Sequence, residues 1–287
     1  MSIGIRDSRF GTWDSGLGTR KSGFPRSSVL RSAGDDGLRG LRAVAVLAMA
    51  LGAGVALTPG AAASATGGRA EPQVVTFTAR DGQVVAGALW LPEKAPAPAV
   101  VLLPMMLRSL HDWDATGARL AEAGIAALAI DFRRNGQPRS TSGAGGEAAD
   151  LSDVLLDAEA ARAYLGARPE IAGGKVGLAG ASLGANVAAI VAGNDASIHT
   201  LALLSPSLDY RGLKLEPALK KFGSRQALLV VSSEDPYALR TARQAVLLGD
   251  GPRELRVLSG AGHGTVMLAR DPDLVNALVD WFVRTLL

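Results

Sequence analysis

The stretch Lys175-Val176-Gly177-Leu178-Ala179-Gly180-Ala181-Ser182-Leu183-Gly184 decides how this chain is read. Lys175 to Ala179 suits a short buried strand, and Leu183 to Ala192 an apolar helix. Between them stands Ser182, with a glycine two positions away on either side. A strand that turns directly into a helix has room only for small flanking residues, and it pushes the residue at its apex out beyond the carboxyl end of the strand. In a chain with 35 glycines the pattern G-x-S-x-G arises easily by chance. The strand before it and the helix after it give it weight.

On either side of this stretch, strand-like runs alternate with helical patterns from about Glu71 to the end. Gln73 to Thr78 and Val84 to Trp90 flank Asp81-Gly82, a hairpin signal. Pro98 to Leu103 and Ile125 to Ile130 are continuous apolar runs, as expected of parallel strands covered on both faces. The helix Asp112 to Ala123 separates them and ends at Gly124. Helix Ala149 to Ala167 then leads to strand Lys175 to Ala179, and helix Leu183 to Ala192 to strand Ile198 to Leu204. Strand Ala227 to Val231 passes through helix Tyr237 to Leu248 into strand Glu254 to Leu258, and helix Pro272 to Leu286 closes the chain. Serial β-α units with right-handed crossovers predict a doubly wound, mostly parallel sheet with an antiparallel N-terminal hairpin, in one domain over residues 66–287.

Sites in open sheets of this kind lie beyond the carboxyl ends of the strands. A serine hydroxyl there needs a neighbouring base to act as a nucleophile, and the chain has three histidines. His199 begins a strand, at the wrong edge. His111 lies on the loop after Leu103 but precedes the serine in sequence. His263 sits in Gly260-Ala261-Gly262-His263-Gly264, directly after the last strand, where a glycine-rich loop would present it. Asp235, in Ser232-Ser233-Glu234-Asp235-Pro236 after the penultimate strand, is placed to orient His263 and can also cap the next helix. Glu234 and Asp209 compete for that role. Asp235 is preferred because it follows the penultimate strand and leads into Pro236, with Glu234 pointing elsewhere on a tight turn.

Bulk properties exclude several classes. Eight of the 30 basic residues and four of the 27 acidic ones precede Ala43, so the rest of the chain carries 22 against 23, and a nucleic-acid partner is not expected. Cysteine is absent, which removes disulfides, thiolate metal sites and a cysteine nucleophile. No metal or organic cofactor is called for. Residues 1–42 read as a basic, disordered leader or a start placed too early. Residues 43–65 read as a secretory signal: an apolar run from Ala43 to Leu57 after Arg39 and Arg42, then small residues with cleavage near Ala65. Export is the expectation, and the membrane contact the sequence allows is the same run left uncleaved as an anchor.

The elbow at Ser182, the acid at Asp235, the histidine loop at His263 and the stretch Asp131-Phe132-Arg133-Arg134-Asn135-Gly136 together resemble the α/β-hydrolase family, in its small, capless dienelactone-hydrolase-like branch. The resemblance covers essentially all of residues 71–287. It implies a serine esterase acting on small-molecule esters, with the backbone amides of Leu183 and Met106 as oxyanion donors and Met105 as the alternative register. The family's usual His-Gly at that loop is Pro104-Met105 here, and serine replaces the cysteine of dienelactone hydrolases themselves. An open pocket bounded by 132–148 and 205–223 is expected, with Met105, Met106, Trp113, Tyr210, Tyr237 and Met267 as candidate wall residues, several of which could equally belong to the core. Arg133, Arg134 and Arg139 read as a solvated basic loop, the alternative being a patch that attracts an anionic substrate. Acyl transfer to an acceptor other than water, or a binding role with an idle triad, are the rival readings.

Overall fold

The computed structural model describes residues 70–133 and 151–287. The leader 1–42, the signal run 43–65, Arg134, Arg139 and most of the 132–148 loop lie outside them. β1 (Gln73–Thr78) and β2 (Val84–Trp90) form the expected hairpin, followed by β3 (Ala97–Leu103), α1 (Asp114–Glu122), β4 (Ala126–Ile130), α2 (Asp153–Gly166) and β5 (Ile171–Ala181). Then come α3 (Leu183–Asn194), β6 (Ile198–Leu204), the ribbon β7 (Asp209–Tyr210) and β8 (Leu213–Lys214), α4 (Leu215–Phe222), β9 (Gln226–Ser232), α5 (Pro236–Ala245), β10 (Arg253–Leu258), α6 (Val266–Arg270) and α7 (Pro272–Leu286).

The main sheet runs β1-β2-β4-β3-β5-β6-β9-β10. β2 is antiparallel to both its neighbours, and every other pairing is parallel. The continuous apolar strands follow from this arrangement. On β3, Ala99, Val101 and Leu103 enter the core beneath α2, α3 and α4, while Val100 and Leu102 enter the one beneath α1 and α7. A strand with helices on both faces has no polar side, so its sequence shows no alternation.

Between β6 and β9 stand only the β7-β8 ribbon and α4. No large cap interrupts the sheet there. α4 and α6 are short helices beyond those expected from the sequence pattern. β5 begins at Ile171, four residues earlier than expected, and runs through Gly174, which takes a left-handed conformation with φ +86°. Helix Asp112 to Ala123 divides into a 3-10 turn, Leu110–Trp113, and α1. Among the described residues, no helix is long and apolar enough to cross a membrane.

The N-terminal hairpin is fastened by Arg133, which reaches Asp81 at its turn and forks onto Asp157 of α2 through bonds of 2.7 and 2.9 Å. Asp157 is fully buried. Arg133 is therefore a structural cation and not part of a solvated basic loop, because a buried carboxylate requires a charged partner.

The β5-to-α3 turn depends on two glycines. A Cβ on Gly180 would lie 2.1 Å from the Gly184 carbonyl oxygen, and one on Gly184 would lie 2.6 Å from the oxygens of Leu103 and Pro104. Backbone cannot yield as a flexible side chain can. Gly184→Ala is expected to lower stability by about 1–3 kcal/mol, as overpacking does, which urea unfolding would measure. An unchanged midpoint would mean that α3 can slide away from β3.

Candidate active site

Ser182 occupies the turn between β5 and α3 with φ +51°, a conformation few non-glycine residues adopt. Its amide donates to the Leu204 carbonyl of β6 at 2.8 Å, which holds the turn against the neighbouring strand. The serine is only 5% exposed, more enclosed than an open surface turn would leave it. Leu183 follows as the first residue of α3, and a helix leaves its first amides without intrahelical acceptors. A developing negative charge next to Ser182 would meet that amide and the positive end of the helix dipole.

His263 lies in the loop between β10 and α6, with its Nε2 2.9 Å from Ser182 Oγ and its Nδ1 2.5 Å from Asp235 Oδ2. With the ring proton on Nδ1, the histidine donates to Asp235 and accepts from the serine hydroxyl. Asp235 serves twice, since its other oxygen accepts from the Ala238 amide and caps α5. The rival acids are engaged elsewhere. Asp209 accepts from the Gly212 amide in its own turn, and Glu234 turns toward the glycine loop. His111 pairs with Asp114 at the surface, and His199 is exposed at the start of β6.

The histidine loop has no regular structure, yet side chains hold its backbone. The Gly260 amide donates to Glu234, those of Ala261 and Gly262 to Ser232 Oγ, and that of Gly264 to Ser205 Oγ. Ser232 and Ser233 in turn donate to Glu234 at 2.6 and 2.8 Å. The hydroxyl of Ser232 first, and then that of Ser233, hold the Glu234 carboxyl down at about 2, with the Gly260 amide adding to them. A second tie joins this loop to the one after β3. Thr265 donates to Asp112, which is also gripped by Arg108 at 2.6 and 2.8 Å. None of these partners has a periodic signature, although short polar residues just past strand ends are where such ties occur.

The expected wall divides. Met105 and Met106 are half-buried on the turn after β3, where the Met105 carbonyl accepts from the Arg108 amide and Leu107 takes φ +62°. A Cβ on Gly264 would lie 2.8 Å from the Met105 sulfur, so this turn abuts the histidine loop. Tyr237, 47% exposed, follows Asp235-Pro236 at the start of α5. Tyr210 is half-buried on β7 and packs against the core. Trp113 and Met267 do not belong to the expected wall: both are fully buried in the core beneath α1 and α7, and neither lines an open surface. Each sits in a short helical segment whose apolar face turns inward. Among the described residues, no cluster of three or more histidine or acidic side chains could hold a metal ion.

Residues 94–277 match the family model described as serine aminopeptidase, S33. No curated protein matches the chain. Solved structures with a similar fold include a dienelactone hydrolase from Anabaena variabilis, at 19% identity and TM-score 0.60 over 77% of this chain and 100% of that one. The esterase domain of a Rhodothermus marinus protein gives 20% and 0.58 over 75% and 99%. An acetyl xylan esterase from a Paenibacillus species gives 17% and 0.60 over 76% and 89%.

Glu234 has a folded value below its ordinary 4.5, so its stabilising effect is fully present above pH 4.5 and is lost as the pH falls toward about 2. The stability difference between wild type and Glu234→Gln, measured by urea unfolding across pH, is expected to be constant above 4.5 and to shrink below it. A difference unchanged at about pH 3 would contradict this linkage.

Proposed function

Since the chain belongs to the serine aminopeptidase S33 family of α/β-hydrolases and has a dienelactone-hydrolase-like fold, we propose that it cleaves carboxylic esters of small, short-acyl substrates through an acyl-enzyme. The observation that carries the reading is the unbroken hydrogen-bond chain Ser182, His263, Asp235. Its order along the sequence is that of the α/β-hydrolase triad.

In this mechanism His263 Nε2 takes the proton from Ser182 Oγ as that oxygen bonds to the ester carbonyl carbon. Asp235 steadies the resulting imidazolium. The amides of Leu183 and Met106 receive the oxyanion, aided by the helix N-terminus. When the tetrahedral carbon collapses, the C–O bond to the alcohol breaks and His263 Nε2–H protonates the departing oxygen. Water then repeats the sequence with His263 as base, releasing the acid and restoring the serine. Short acyl groups are favoured because the ribbon and α4 between β6 and β9 supply no cap to bury a long chain.

Export remains part of the proposal, resting on the apolar run Ala43 to Leu57 and the small residues after it. N-terminal sequencing of the protein from producing cells is expected to begin near Thr66, and an intact Met1 on a cytoplasmic form would remove this part.

Hydrolysis of p-nitrophenyl acetate and labelling by a fluorophosphonate test the chemistry. Ser182→Ala and His263→Ala should each cost about a thousandfold or more, and the double variant little beyond either, because the triad acts as a unit. Asp235→Asn should cost on the order of 10⁴ by favouring the wrong tautomer. Asp209→Asn should stay within about tenfold. A wild-type serine inert to the probe would mean an idle triad, and a crippled Asp209→Asn would move the acid to the β6 side.

A further inference from the structure

We infer that Ser232 and Glu234 are positioning residues, a clasp that holds the His263 loop at the distance from Ser182 that the ester-hydrolase reading above requires. The loop would be loose on its own account. Gly260, Gly262 and Gly264 all take positive φ, and glycine has more conformational freedom to lose than any other residue. Three successive amides, those of Gly260, Ala261 and Gly262, find acceptors on the 232–234 turn.

Ser232 is at the centre of the clasp. A hydroxyl offers one donor and two acceptor positions, and here all are engaged: it donates to Glu234 at 2.6 Å and accepts from Ala261 at 3.1 Å and Gly262 at 3.3 Å. The residue is fully buried, so water cannot substitute for its oxygen. Glu234 extends the grip to Gly260 at 2.6 Å. The turn that carries this clasp also carries Asp235, whose amide donates to the Ser232 carbonyl at 3.1 Å. One tight turn therefore sets both ends of the imidazole's position: the acid on Nδ1 directly, and the approach of Nε2 to Ser182 through the loop backbone.

The consequence is kinetic. A displacement of about 1 Å at a reacting group can cost on the order of a hundredfold in rate without touching substrate contacts. Ser232→Ala and Glu234→Ala are each expected to lower kcat for p-nitrophenyl acetate by about tenfold or more, with KM held within about threefold. Glu234→Gln keeps an acceptor for Gly260 and should recover most of the loss. Ser233→Ala should stay within about twofold, because the Ser233 hydroxyl touches no loop amide. A proton held between His263 and Asp235 should give a far-downfield NMR signal, expected to broaden or shift in Ser232→Ala and Glu234→Ala but not in Ser233→Ala.

Glu234 is exposed, so its alanine variant should fold and decides the matter even if Ser232→Ala does not. A Glu234→Ala protein with wild-type kcat and an unaltered downfield proton would overturn the clasp. Should wild type itself hydrolyse no ester, the functional reading fails, while the downfield proton still reports whether the loop has moved.

Discussion

The closeness of α3 to β3 and β5 is the constraint from which the rest of the site follows. With only hydrogen on Gly180 and Gly184, the helix begins directly above the strand, and the Leu103 and Pro104 carbonyls lie against its first turn. That contact makes the left-handed turn at Ser182 sustainable, since the strain of one residue is offset by packing on both sides of it. It also brings the loop after β3 next to the serine turn. Were α3 a methyl's width further off, the serine, the helix amides and the β3 loop would no longer converge.

Much of this was legible in the sequence, for identifiable reasons. The strands of the parallel sheet are apolar throughout because both faces are covered, and the residues just past their ends stand out against that background. Ser182, Asp235 and His263 could be selected because glycine, proline and strand ends bracket them. Trp113 and Met267 misled because a large apolar residue near a site has the same letter whether it faces the cavity or the core. Arg133 misled in the opposite sense: its partners, Asp81 and Asp157, are 52 and 24 residues away, and nothing local shows that one of them is buried. Ser205 and Ser232 were silent because a hydroxyl that binds a distant amide follows no periodicity.

Asp235 shows how a structural and a chemical duty can share one side chain. One carboxylate oxygen closes the first turn of α5, and the other holds His263. The helix cap fixes the carboxylate, so the imidazole meets an acceptor already oriented. A less rigid acid would have to be ordered before it could hold the ring, at a cost in entropy.

The span between Ser182 and His263 carries one more implication. They are 81 residues apart, and the strands that deliver them, β5 and β10, are separated in the sheet by β6 and β9. Parallel strands cannot be joined by local hairpins, so each pairing requires a long crossover to close first. A chain in which those crossovers have not closed therefore lacks the hydrogen bond between His263 and Ser182. That one contact thus reports on the pairing of four of the sheet's eight strands.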